Sequence, residues 1–183
     1  MTAGAKLFNS NSELFQDPSL YRSTIGALQY LTLTRPDISF TINKLSQFLQ
    51  APTEHQWQAC KWVLRYIKGT QFHVLLFKPV ASLCVESYAD ADWGSNLDDR
   101  RSTSGYCIYP GPNLIQWSFR KQKVVALSLT EAECRILAQT ATKLVWLESL
   151  LSELDLVSVG CVQLLCRGVL YRVVRSVMQS SVM

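Results

Sequence analysis

The feature that most constrains the fold is a change of hydrophobic period along the chain. From Asp17 to about Thr70 the apolar residues recur at helical spacing, from Phe72 they fall into short strand-like runs, and from Ser128 the helical period returns. Strands followed by a long helix call for a mixed α/β layer, sheet on helix, preceded here by a short helical segment.

The punctuation of the first part is explicit. Asp17-Pro18 is a helix entry, an N-cap residue followed by proline at the first helical position. Tyr21, Ile25, Leu28 and Leu31 then share a face until Arg35-Pro36 breaks the helix, because the residue before proline is pushed out of the α region. Asp37 restarts the pattern with Ile38, Ile42, Leu45 and Leu49, and Ala51-Pro52 ends it. Thr53 to Gln56 matches a capping box, after which Trp57, Cys60, Val63, Leu64 and Ile67 form a third apolar stripe closed by Gly69. Three short helices are expected, as structural support.

Strands are expected over Phe72 to Phe77, Leu83 to Ala89, Gly105 to Tyr109, Leu114 to Trp117 and Val124 to Leu127, where β-branched and aromatic residues cluster between turn formers. A second capping box, Ser128 with Glu131, opens a helix running to about Glu153. The organisation read from this is a loose leader over 1–16, a helical segment over 17–70, a sheet-bearing core over 71–156 and a divergent tail over 157–183.

Composition narrows the function classes. The 183 residues are 48% hydrophobic and 17% charged, which is the balance of a chain that folds around a core and excludes a disordered one. A net charge of +4 favours an anionic partner. The six cysteines form no CxxC pair and neither histidine lies near a cysteine pair, so no structural zinc site is expected. The chain lacks a secretory leader and reads as intracellular, cytoplasmic or nuclear, with reduced thiols. The apolar stretch from Val157 to Met183 is interrupted by Arg167, Arg172 and Arg175, so no membrane span is expected.

The chemistry concentrates on one strand. Alternation over Cys84 to Asp92 puts Glu86, Tyr88, Asp90 and Asp92 on one face and Val85, Ser87, Ala89 and Ala91 on the other. Two aspartates at i and i+2 repel each other unless a cation or solvent offsets the repulsion. Magnesium, which takes one or two carboxylates together with phosphates, suits such a pair; so does plain solvation of an acidic turn. Glu133 shares a helical face with Ile136, Leu137 and Thr140 and is expected to face the sheet, whereas Glu131 suits a capping role. A carboxylate on a sheet-facing helix surface needs a partner, and a metal held jointly with Asp90 would be one. Arg100, Arg101, Arg120, Lys121 and Lys123, interleaved with Trp93, Trp117 and Phe119, form a candidate nucleic-acid surface.

These words, in order, resemble a known family. Tyr88-Ala-Asp-Ala-Asp-Trp-Gly94, Asp99-Arg-Arg-Ser-Thr-Ser-Gly-Tyr106, Trp117-Ser118, Lys121-Gln-Lys-Val-Val-Ala-Leu-Ser128 and Thr130-Glu-Ala-Glu133 resemble the RNase H region of copia-type LTR retrotransposon Pol polyproteins. Upstream, Tyr21 to Leu31, Thr34 to Phe40 and Val63 to Thr70 are similar to the segment that connects reverse transcriptase to that region, and no polymerase Tyr-x-Asp-Asp motif is present. The resemblance implies an RNase H-like mixed sheet with packed helices. It also implies hydrolysis of the RNA strand of an RNA–DNA hybrid with two Mg2+ ions held about 3.5–4 Å apart. Asp90 corresponds to the first carboxylate, Glu133 to the second, and Asp92 is a neighbouring candidate ligand. Catalytic Asp90 and Glu133, metal-binding Asp90, Glu133 and Asp92, and nucleic-acid-binding Arg100, Arg101, Trp117, Arg120, Lys121 and Lys123 are thus the expected site.

The tail departs from the family. Val162-Gln-Leu-Leu-Cys166 resembles the next strand, but Arg167 stands where the family's third carboxylate is expected. A cation there adds repulsion of roughly 4 kcal/mol per pair of unit charges at about 4 Å and an effective dielectric of 20. The closing segment that follows in the family has no counterpart, and Cys134 replaces an aromatic, so the C-terminus reads as truncated or degenerate. The resemblance leaves three outcomes: a ribonuclease H, a catalytically inactive nucleic-acid-binding module, or a non-functional retroelement relic.

Overall fold

The computed structural model describes residues 13–80, 83–96, 98–154, 161–166 and 169–172. The chain divides into two compact units, Met1–Leu75 with Asn96–Asp99, and Leu76–Ser95 with Arg100–Met183.

The first unit is built from α1 (Pro18–Leu31), α2 (Pro36–Leu45) and α3 (Glu54–Gly69), with a short 3-10 turn, Ser46–Phe48, after α2. The expected caps form. The Asp17 carboxylate accepts from the Leu20 amide at 2.9 Å, and Thr53 and Gln56 close a capping box. The three apolar stripes meet in a core of Tyr21, Ile25, Leu28, Ile38, Ile42, Leu45, Phe48, Ala59, Cys60 and Val63. The Tyr21 hydroxyl, fully buried, donates to the Leu45 carbonyl at 2.9 Å, and burial raises its pKa. Burial likewise pushes the Cys60 thiol up to about 11, which keeps it protonated.

Two expectations for this unit need correction. Leu64 lies on the outer side of α3, 40% exposed, because the buried face of that helix runs through Ala59, Cys60 and Val63. The expected loose leader is tied down at its end. The Phe15 amide donates to the Pro52 carbonyl at 2.9 Å, and the Phe15 ring stacks on Trp57 at 4.7 Å.

The second unit is a five-stranded sheet with a long helix. Its strands are β1 (Cys84–Asp92), β2 (Thr103–Pro110), β3 (Gln116–Lys121), β4 (Cys161–Cys166) and β5 (Val169–Arg172), in spatial order β3-β2-β1-β4-β5. β1 pairs antiparallel with β2 and parallel with β4. The parallel step needs a crossover, and α4 (Leu129–Glu153) lies in the connection between β3 and β4. This α/β unit has the RNase H-like mixed sheet expected of the sequence. Val85, Ala89 and Ala91 of β1, with Tyr106 and Ile108 of β2, pack under Ala132, Ile136, Leu144 and Leu147 of α4.

Two expected strands do not form. Phe72 to Phe77 has strand composition but no ladder partner among the described residues, and Phe72 is 84% exposed. The segment is held beyond its end instead: the Asn113 side chain accepts from the Lys78 amide at 2.7 Å and donates to the Lys78 carbonyl at 2.8 Å. Val124 to Leu127 lies past Lys121, where the β2–β3 ladder ends, and forms a loop. That loop is anchored at Ala126, whose carbonyl accepts from Trp93 Nε1 at 2.9 Å, and at Leu127, whose amide donates to Glu131 at 2.7 Å. The expected strand from Leu114 to Trp117 begins two residues later, at Gln116, and runs to Lys121.

Candidate functional site

Strand alternation carries the site. Along β1 the odd residues are buried under α4, while Tyr88, Asp90 and Asp92 are exposed on the opposite, open face of the sheet. The Asp90 carboxylate accepts from the Ala91 amide at 2.9 Å, which orients it at the end of the strand. In the ladder Asp90 pairs with Gly105 and Gly105 with Phe119, so the three form one row across the sheet. The next row is Asp92, Thr103 and Lys121.

The start of α4 separates the two glutamates. The Ser128 hydroxyl accepts from the Glu131 amide at 3.1 Å, and Glu131 accepts from the Leu127 amide at 2.7 Å. Arg135 pairs with Glu131 at 2.7 Å and, with the Leu127 amide, holds its carboxyl below the usual carboxylate range. Glu131 is therefore a cap. Glu133 belongs to the inward side of the helix: Ile136 and Thr140 on its face are buried, and Glu133 Oε1 is itself out of reach of solvent. Gln122, buried beside this turn, donates from Nε2 to the Ala132 carbonyl at 2.9 Å and so anchors the residue next to Glu133. Asp90 and Glu133 are thus carried by different layers, the first on the open face of the sheet and the second on the helix. Among the described residues no group of three or more His, Cys, Asp and Glu side chains is placed to share an ion.

The expected nucleic-acid residues fall into four places. Trp117 and Lys121 share the open face with Asp90, by alternation along β3. Arg120 points to the other side, where its charge opposes the rise in pKa that burial imposes on Tyr106. Lys123 is exposed in the loop after β3, and Arg100 and Arg101 lie in the turn before β2. Arg167 lies outside the described residues.

Arg100 has φ 56°, in the left-handed region that costs a side-chain-bearing residue about 1 kcal/mol. Arg100→Gly is accordingly expected to raise stability by up to about 1 kcal/mol, read as a higher urea midpoint at unchanged slope. An unchanged or lower midpoint would refute the strain.

Sequence reasoning did not single out Tyr88, Gly105 or Gln122 as site residues, and placed Phe119 only among the aromatics of the candidate nucleic-acid surface. Tyr88, Asp90, Gly105, Cys107, Phe119 and Leu165 line a concavity of about 420 Å3 on the open face. A glycine inside a strand was the available signal, since it marks close approach of another group. A Cβ at Gly105 would stand 2.5 Å from the Phe119 ring.

The chain is 45% identical over 156 residues to the retrovirus-related Pol polyprotein from transposon RE2 of Arabidopsis thaliana, a match covering 85% of this chain and 11% of the polyprotein. It is 46% identical over the same length, with the same coverage, to that from transposon RE1 of Arabidopsis thaliana. It is 39% identical over 137 residues to that from transposon TNT 1-94 of Nicotiana tabacum, covering 74% of this chain and 10% of the polyprotein. No family model and no solved structure matches the chain. Fold and motifs therefore define an α/β, retrotransposon-derived region. The chain is similar to a stretch of the retrovirus-related Pol polyproteins of copia-type transposons and spans about a tenth of the length of those it matches. No helix among the described residues is long and apolar enough to cross a membrane.

Proposed function

We propose that this chain is the RNase H-like region of a copia-type Pol polyprotein, acting inside the cell on the RNA strand of RNA–DNA hybrids, and that its catalysis is impaired. The observation that carries the reading is the position of Asp90, an exposed carboxylate on a concave sheet face that also bears Trp117 and Lys121. Asp90 and Asp92, exposed on one face of β1, suit a hydrated Mg2+ that shares its remaining positions with phosphate. Bound there, the ion would supply charge stabilisation at the phosphate and a more acidic water. Glu133, which the resemblance makes the second carboxylate, is carried by α4 behind the opposite face of the sheet and does not stand beside Asp90. The described residues supply no three-donor set for a full two-ion site, and the position where the family places another carboxylate holds Arg167. A cation at that position also favours a second reading, a module that binds nucleic acid without cleaving it.

The test is cleavage of a labelled RNA–DNA hybrid with Mg2+ by the natural chain, by Asp90→Asn and by Arg167→Asp. Slow or absent cleavage by the natural chain, a gain on Arg167→Asp and none for Asp90→Asn are expected. Robust cleavage by the natural chain, lost in Asp90→Asn, would remove the impairment from the proposal. No cleavage by any of the three, together with hybrid binding that weakens steeply as salt rises, would establish the binding module instead.

A further inference from the structure

Resting on the nucleic-acid reading above, we propose that the concavity beside Asp90 receives one unstacked nucleobase of a bound strand, held between the rings of Tyr88 and Phe119. Its volume of about 420 Å3 falls at the small end of the range for ligand pockets, about 300–1,000 Å3. Its walls are largely apolar, and a carboxylate, Asp90, stands at its edge, able to accept from a ring or exocyclic N–H.

The walls are pre-set. The Tyr88 ring, 46% exposed, meets Tyr109 edge-on at 5.8 Å, and its hydroxyl donates to Glu86 at 3.1 Å. Those two contacts fix the ring before anything binds, so little rotamer entropy is lost on stacking. On β3 the Phe119 ring lies across Gly105, 2.5 Å from where a Cβ would be, and only glycine lets the ring settle that low against the sheet. One ladder row further on the same face stands Lys121, a cation for the strand's backbone. Aromatic faces for a base with a cation for the backbone are the pairing that single-stranded nucleic acid requires. An apolar protein segment would gain nothing from Lys121 and would have to desolvate Asp90.

The test uses the full chain in EDTA, where metal-dependent cleavage cannot occur, and a short single-stranded oligonucleotide carrying one 2-aminopurine. Binding is expected to change the 2-aminopurine emission, and Phe119→Ala is expected to weaken affinity about tenfold. Phe119→Leu, which keeps apolar bulk without a π face, is expected to lose nearly as much, so a folding defect cannot imitate the result. Trp146→Ala, an exposed aromatic on α4, is the control and leaves affinity unchanged. Gly105→Ala, which displaces the Phe119 ring, is expected to weaken binding in the same direction. Equal affinity of the natural chain and both Phe119 variants would overturn the proposal, as would equal binding of an oligonucleotide with an abasic site replacing the labelled base. Burial of this face between two copies of the chain in solution would overturn it too. Because the readout is binding without metal, a chain that never cleaves a hybrid can still pass, and one that cleaves can still fail.

Discussion

Arg35→Ala is expected to lower the stability of the helical unit by about 3 kcal/mol, the low end of the range for breaking a buried, hydrogen-bonded charge pair. The Arg35 guanidinium is buried where the chain turns from α1 into α2, and it makes a fork with Asp37, Nε to Oδ1 at 2.9 Å and NH2 to Oδ2 at 2.7 Å. It also donates to the Thr70 carbonyl and hydroxyl, at 3.0 and 2.8 Å, and so ties the start of α2 to the end of α3. The Tyr66 hydroxyl completes the network on Asp37 Oδ2 at 2.9 Å. Asp37 keeps 34% of its side chain in solvent, which is why the low end of the range applies. Arg35→Lys should lose about half as much, since an ammonium cannot fork to a carboxylate. A pH dependence follows from the same contact. Arg35 is the largest cause of the depressed Asp37 pKa. A carboxylate depressed on folding contributes stability that is present above its unfolded pKa, about 3.9, and is lost as pH falls through the folded value. Hydrogen exchange of the α2 and α3 amides should therefore show acid weakening in the natural chain and a flatter profile in Arg35→Ala. Equal protection at pH 7 in both chains would discard the idea.

What was legible in the sequence, and what was not, follows the range of the interactions. The helices could be read because their ends are local: Asp17-Pro18, Thr53 with Gln56, and Ser128 each act within a few residues. β1 could be read because its period of two fixes which side chains share a face, whatever pairs with it. Phe72 to Phe77 could not. Its composition is that of a strand, but a strand exists only where a distant segment offers a ladder, and among the described residues none does. The end of the β2–β3 ladder at Lys121, which left Val124 to Leu127 a loop, was equally a matter of register.

The site divides in the same way. Asp90, Asp92 and Glu133 were legible as residues with a stated face, and Glu131 as a cap, because each follows from local periodicity. Which groups neighbour Asp90 depends on two registers, β1 with β2 and β2 with β3, and nothing in the residues 93 to 102 or 111 to 115 sets them by a simple rule. Gly105 and Phe119 join the row of Asp90 for that reason alone. The basic residues were grouped by nearness in sequence, and strand alternation divides them: Lys121 shares the Asp90 face, whereas Arg120 does not.

Ile136→Ala is expected to destabilise the sheet unit by about 3–4 kcal/mol, the loss from deleting a buried branched side chain plus the cavity it leaves. Ile136 is 2% exposed and sits among Ala89, Ala132, Leu144 and Leu164. On the strand side Ala89 and Ala91 face the helix and are short, so the surroundings close over the space only in part. Ile136→Val, which removes one methyl group, should cost about 1 kcal/mol. Both are read from urea midpoints, and a loss below about 1 kcal/mol for alanine would show that α4 does not hold the sheet in this way. The functional consequence follows from helical spacing. Glu133 stands one turn before Ile136, and the grip of Ile136 on the sheet, with the hydrogen bond from Gln122 to Ala132, sets where that carboxylate rests. Ile136→Val should nevertheless leave oligonucleotide binding in EDTA unchanged, because the Tyr88 and Phe119 walls lie on the other face of the sheet. Loss of that binding would mean that the two faces are not separable, and that the helix supports the concavity as well as the carboxylate.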